Sequence, residues 1–207
     1  VGPDGPTHHG VFDISLMNSL PGIVVAAPKD GNELDNLLLT ALESKKSFCI
    51  RYPKSNSINY HQTNISKVLD IGSWEKLENG QKFAILATGS MVNVAHESIS
   101  EIKQKFNFTP TLINCRFIKP FDKKLLDEII KTHQNIITIE EGILCGGFGS
   151  SIINYTKNMN INVYSMGIKD EYIEHGTRQE LLDLVGLNKD SLINLIQDIQ
   201  NNNSGGD

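Results

Sequence analysis

A chain of 207 residues that is 39% hydrophobic and 21% charged is long enough for one large domain or two small ones, and it can bury a core. Its formal net charge of −5, with no stripe of Lys and Arg, argues against nucleic acid and anionic membrane surfaces as partners. Its apolar runs, such as 23–27, are far too short to span a bilayer. The three cysteines, Cys49, Cys115 and Cys145, stand far apart without a CxxC pair. That spacing indicates neither a zinc site nor a disulfide framework, and it points to a reducing compartment.

In chain order, 10–20 reads as a helix stopped by Pro21-Gly22, and 23–27 as a buried strand ended by Pro28. Asp30 then caps a helix, with Glu33 completing a capping box and Leu34, Leu37, Leu38, Ala41 and Leu42 at helical spacing. A second strand over 47–52 closes at Pro53. The polar, Asn- and Ser-rich stretch after it reads as a linker, placed at 57–66. A short hairpin is expected over 68–70 and 73–77. From there strands at 83–88, 111–115, 136–140 and 162–166 alternate with helices at 92–106, 123–132 and 150–156, and helices at 178–184 and 189–200 follow. The tail 201–207 is low in complexity and is expected to be disordered. The alternation predicts an α/β fold in two units, 1–56 and 67–200, the second with a mostly parallel sheet covered by helices. The first unit is expected to lack its opening strands, so the chain is expected to be a piece of a longer protein.

Four clusters carry candidate chemistry. Asp4-Gly5-Pro6-Thr7-His8-His9-Gly10 is a turn that can aim an Asp and a His into one cleft, or a solvated turn that caps the next helix. Arg51-Tyr52-Pro53-Lys54 lies at a strand end, where two cations can hold a phosphate or form a surface ion pair. Glu140-Glu141-Gly142 followed by Gly146-Gly147-Phe148-Gly149-Ser150 sits between a strand and a helix. Ile152 stands where a dinucleotide loop needs its third glycine, which favours a tight strand-to-helix turn. Glu174-His175-Gly176-Thr177 is either an acid/base pair or a loop into the helix at 178, with Thr177 and Glu180 as its capping box.

Taken together, these segments resemble thiamine-diphosphate enzymes of the transketolase type, and the 1-deoxy-D-xylulose-5-phosphate synthase family in particular. The resemblance rests on Asp4 to His8 with the continuation His9-Gly10-Val11-Phe12-Asp13-Ile14-Ser15, on Arg51-Tyr52-Pro53, and on Leu86-Ala87-Thr88-Gly89-Ser90. Arg116-Phe117-Ile118-Lys119-Pro120-Phe121-Asp122, the Glu140 and Gly146 segments and Glu174-His175-Gly176 follow in the same order. It implies the end of a pyrimidine-binding domain followed by a transketolase C-terminal-like domain.

The resemblance also implies a reaction. Pyruvate and D-glyceraldehyde 3-phosphate condense with loss of carbon dioxide to 1-deoxy-D-xylulose 5-phosphate, which feeds isoprenoid, thiamine and pyridoxal synthesis. By the same resemblance Asp4 holds the acceptor hydroxyl, His8 lies near the thiazolium adduct, and Arg51 and Lys54 bind substrate, with Lys54 on the acceptor phosphate. The family has Arg followed by Gly where this chain has Lys54-Ser55, so the charge is kept and the bidentate fork is not. Thiamine diphosphate and Mg2+ are the implied cofactors, and the Glu that activates the cofactor and the metal-binding motif are expected upstream of Val1. The chain alone is therefore expected to be inactive. The implied partners are the rest of the same enzyme and a second copy, in a bacterial cytoplasm or a plastid-type organelle. Other readings are a transketolase, a β-type subunit of a 2-oxo-acid dehydrogenase, and a non-catalytic α/β assembly domain.

Overall fold

A computed structural model describes residues 1–57 and 65–204; most of the expected linker, 58–64, and the end of the tail, 205–207, lie outside the described residues. After a 3-10 turn at Gly2–Asp4 come α1 (Asp13–Ser19), β1 (Val24–Ala26), α2 (Gly31–Ser44) and β2 (Phe48–Ile50). Then follow β3 (Glu75–Glu78), β4 (Phe83–Ala87), α3 (Met91–Phe106), β5 (Thr111–Asn114), β6 (Phe117–Lys119) and α4 (Lys123–Thr132). The chain continues with β7 (Asn135–Ile143), α5 (Phe148–Thr156), β8 (Asn162–Ile168), α6 (Arg178–Leu184) and α7 (Lys189–Ser204).

Five strands form a sheet in the order β3-β5-β4-β7-β8, parallel except for the edge strand β3. The central strand β4, Phe-Ala-Ile-Leu-Ala, is buried at every position, as a strand covered on both faces must be. Its alternate residues feed two cores. Ile85 and Ala87 pack with Met91, Ala95 and Ile102 of α3 and Ile193 and Ile196 of α7. Ala84 and Leu86 pack with Leu126 and Ile129 of α4 and Phe148 and Ile152 of α5. The covered parallel sheet inferred from the alternation is what forms.

The two predicted units are joined by a shared sheet. β1 pairs in parallel with β2 on one side and antiparallel with β6 on the other, with Val25 opposite Lys119 and Ala26 opposite Phe117. A strand of the second unit thus completes a three-stranded sheet of the first. Ile14, Val25 and Ala27 also join the α4–α5 core. The buried Glu33 of α2 is linked across the junction, since Asn114 Nδ2 donates to its Oε1 at 2.7 Å and Arg116 stands 3.6 Å away.

Several expectations change in detail. The hairpin at 68–77 does not form: β3 pairs with β5. The segment at 67–69 instead lies on α2, because the amides of Lys67 and Leu69 donate to Asn36 Oδ1 and Thr40 Oγ1, each at 2.8 Å. Helical polar side chains thereby replace a strand partner. The Asp30 cap forms, with the Glu33 amide donating to Asp30 Oδ1 at 2.8 Å, but Glu33 reaches back to the amide of Lys29. β6 was missed, being three residues whose partner lies more than 90 positions earlier. α7 runs to Ser204, four residues into the tail read as disordered.

Candidate active site

The opening loop is folded on itself. The His8 amide donates to Gly5 O at 3.0 Å, Thr7 Oγ1 and His8 Nδ1 are 2.9 Å apart, and His9 Nε2 lies 3.0 Å from Gly2 O. These contacts leave the Asp4 and His8 side chains exposed on the outer face of the loop. Lys54 reaches the same face, with Nζ 3.9 Å from Asp4 Oδ2 and side chains 77% and 47% exposed, respectively. At that exposure the pair is weak as a structural bond, so both groups can turn to another partner.

Arg51 behaves differently. It follows β2, its amide is held by Ala26 O at 2.8 Å, and its side chain is only 12% exposed. Nε donates to Asp13 Oδ2 at 3.0 Å, and Nη2 donates to the backbone carbonyl of Glu141. Asp13 is the first residue of α1, where a carboxylate also suits the helix N-terminus. Two of the three Arg51 nitrogens are therefore committed within the protein.

Glu140 and Glu141, adjacent residues near the end of β7, face different partners. Glu140, fully buried, accepts the amides of Phe148 and Gly149 at 2.8 Å each, so it closes the first turn of α5. Burial pushes its carboxyl up to about 7, although those amides and the Arg51 charge pull it down. A β-carbon on Gly147 would lie 2.5 Å from Glu140 Oε2, so only glycine lets the carboxylate come this close to the helix start. For Glu141 burial also works against ionisation, but hydrogen bonds from Arg178 and the charge of Arg51 outweigh it and hold the carboxyl below its ordinary value. Ser90 Oγ donates to Glu141 Oε2 at 2.7 Å.

A cavity of about 410 Å³ opens between the two units beside these groups. Arg51, Lys54 and Arg178 line its polar side, and Ile173, Leu181 and Val185 its apolar side. The size and mixture are those of a small-molecule pocket.

A family model of the transketolase pyrimidine-binding domain matches residues 1–58, and one of the transketolase C-terminal domain matches residues 72–192. The chain belongs to the transketolase family. Within it, the chain is similar to 1-deoxy-D-xylulose-5-phosphate synthases: that of Clostridium tetani is 40% identical over 93% of this chain and 31% of its own length. That of Dictyoglomus thermophilum is 40% identical over 97% of this chain and 33% of its own. That of Aquifex aeolicus is 37% identical over 96% and 32%. The chain thus spans about a third of the length of these curated relatives. Two solved structures share the fold. A split-gene transketolase, described as an inactive β4 tetramer, aligns with a TM-score of 0.81 at 24% identity over 93% of this chain and 62% of that one. The transketolase of Campylobacter jejuni aligns with a TM-score of 0.71 at 22% identity over 95% and 29%.

Of the residues singled out from sequence in this transketolase-family chain, the fold brings Asp4 and Lys54 onto one face beside the exposed His8. Arg51 sits behind them, tied to Asp13 and Glu141. The Glu140 segment is a tight strand-to-helix turn, and Thr177 with Glu180 forms the expected capping box. Reading it only as a turn missed what the two glutamates hold. A usable signal was present: acidic residues at a strand end, followed by a glycine-rich helix start, suit an anion that accepts helix amides.

Proposed function

We propose that the chain is the C-terminal part of a 1-deoxy-D-xylulose-5-phosphate synthase, acting with the rest of that enzyme on pyruvate and D-glyceraldehyde 3-phosphate. The observation that carries the reading is identity of 37–40% to synthases of that name over 93–97% of the chain, through both units. No helix among the described residues is long and apolar enough to cross a membrane.

Within this reading the chain supplies the substrate face of the site. Asp4 accepts a hydrogen bond from the acceptor hydroxyl, for which an exposed carboxylate on a fixed turn is suited. Lys54, with its side chain 77% exposed and 3.9 Å from Asp4, takes the acceptor phosphate as a point charge. His8 gives or holds a proton at a substrate oxygen. Arg51 adds fixed positive charge at the cavity wall from within its pairing to Asp13 and Glu141. Thiamine diphosphate supplies the carbanion chemistry when bound. Asp4, His8 and Lys54, exposed on one face, suit the substrate side of such a site, and among the described residues no three His, Cys, Asp or Glu side chains gather as a metal set. We assign thiamine diphosphate and Mg2+ to the remaining two thirds of the enzyme, and the assembly to a homodimer in a bacterial cytoplasm or plastid-type organelle.

The test is single-turnover carbon dioxide release and product formation by the full-length protein. Wild type should release carbon dioxide from pyruvate and form a phosphorylated ketose when the aldehyde is added. Asp4→Ala should impair the second step more than the first, and His8→Ala should lower both, by roughly 10²–10⁴-fold. An intact protein that forms no ketose from these substrates would end the reading.

A further inference from the structure

The residues that carry the proposed chemistry rest on the second unit through a contact that the reaction does not itself use. Gly5 is in a conformation open to glycine alone, φ +82 and ψ −178. A β-carbon there would lie 2.2 Å from Nε2 of His175, so the loop backbone lies flat against that imidazole. Beside it, the Gly176 amide donates to Gly2 O at 3.3 Å, the same oxygen that His9 Nε2 meets at 3.0 Å. A β-carbon on Gly2 would come within 2.4 Å of Gly176 O and 3.0 Å of the Arg178 amide. Two glycines of the first unit therefore seat on residues 175–178 of the second, Gly5 on the His175 ring and Gly2 against the backbone of Gly176 and Arg178.

The seat is itself anchored. Arg178, at the start of α6, is bound to the Glu141 carboxylate at the end of β7 and to Ser90 Oγ at the head of α3. Asp4 precedes Gly5 and His8 follows it by three residues, so where Gly5 lies fixes where both side chains stand. The His175 ring makes no hydrogen bond among the described residues; what it offers the loop is its flat face.

We propose that His175 is a positioning residue for the aldehyde-addition step, its ring forming the floor on which the Asp4–His8 loop is set. This gives the C-terminal unit a part in the reaction beyond assembly, and it rests on the proposed roles of Asp4 and His8. Misplacing a reacting group by about 1 Å can cost on the order of 10²-fold, and a loop that sags into a vacated ring would shift less uniformly than that.

The experiment uses the full-length enzyme with His175→Ala and His175→Phe. Kinetics with glyceraldehyde 3-phosphate are run beside amide hydrogen exchange of 2–9 and of β4 and β7. His175→Ala should lower kcat/KM for the aldehyde roughly tenfold and speed exchange in 2–9, with β4 and β7 unchanged. His175→Phe, which restores a flat ring without an imidazole, should recover both to within about twofold of wild type. His175→Ala indistinguishable from wild type in exchange and kinetics overturns the proposal. So does His175→Phe as impaired as Ala, which would make the imidazole chemistry essential, and so does exchange that rises equally in β4 and β7, which would make the role one of global stability. The exchange measurement needs no turnover, so the seat can be judged even if the enzyme proves not to form the ketose.

Discussion

The Arg178 guanidinium forks onto the Glu141 carboxylate, Nε donating to Oε1 at 2.9 Å and Nη2 to Oε2. The side chains are 28% and 13% exposed, so this is a largely desolvated pair that joins α6 to the end of β7. The backbone carbonyl of the same Glu141 takes Arg51 from the first unit. One residue thus ties three segments that are distant in sequence.

Removing one partner of such a pair leaves a buried charge uncompensated. Arg178→Met should destabilise the protein by about 3 kcal/mol, read from the urea midpoint at constant slope. Arg178→Met combined with Glu141→Gln should cost less than the sum of the two single changes. Because the Glu141 carboxyl is held below its ordinary value, its stabilisation is present above the unfolded-state pKa and disappears as pH falls through the depressed one. The double variant should therefore show a shallower loss of stability on the acid side.

Glu140 has the opposite sign. Its carboxyl is raised from 4.5 to about 7, so the folded state holds a proton that the unfolded state has lost between those values. Its contribution is full below about 4.5, falls as pH rises toward 7, and levels off above, a span of about 3 kcal/mol. Glu140→Gln cannot ionise, so the difference in unfolding free energy between wild type and variant should change by that order between pH 4.5 and 7. A difference that stays constant across the range would show that Glu140 is charged throughout.

Gly149 lies where α5 leaves the Glu140 turn. A β-carbon there would meet Ser165 Oγ at 2.6 Å and Thr138 Oγ1 at 2.7 Å, two hydroxyls already bonded to each other at 2.9 Å. Their short side chains have little room to withdraw. Gly149→Ala should cost about 1–3 kcal/mol by thermal or urea unfolding, despite alanine's better helix propensity. Gly149→Ala with Thr138→Ala and Ser165→Ala, which removes both hydroxyls, should regain part of that loss.

Lys54 tests the phosphate assignment. In the full-length enzyme, Lys54→Ala should raise KM for glyceraldehyde 3-phosphate by roughly 10- to 150-fold, the loss of one charge-assisted hydrogen bond. Unphosphorylated glyceraldehyde should be nearly unaffected, and Lys54→Arg should restore most of the binding. Equal effects on both aldehydes would place Lys54 in solvent and leave the phosphate to other groups.

Period and punctuation in the sequence determined the elements and the fold class. The buried run 83–87 and the 3.6-residue spacing in 92–106 reflect local backbone and burial preferences, so β4 and α3 emerge within a residue or so of prediction. Asp122 and Thr177 cap their helices for the same local reason. Motif order likewise brought out the transketolase-type clusters and the candidates Asp4, His8, Arg51 and Lys54. Only the tertiary structure decided what these groups face. β6 became a strand because β1 offered it an open edge from the other unit, a pairing with no local signal. Arg51 went to Asp13 and Glu141 because α1 and β7 converge on the end of β2. Gly5 met His175 across 170 residues, since a close backbone approach is set by how two units pack and leaves no mark in either segment except a glycine.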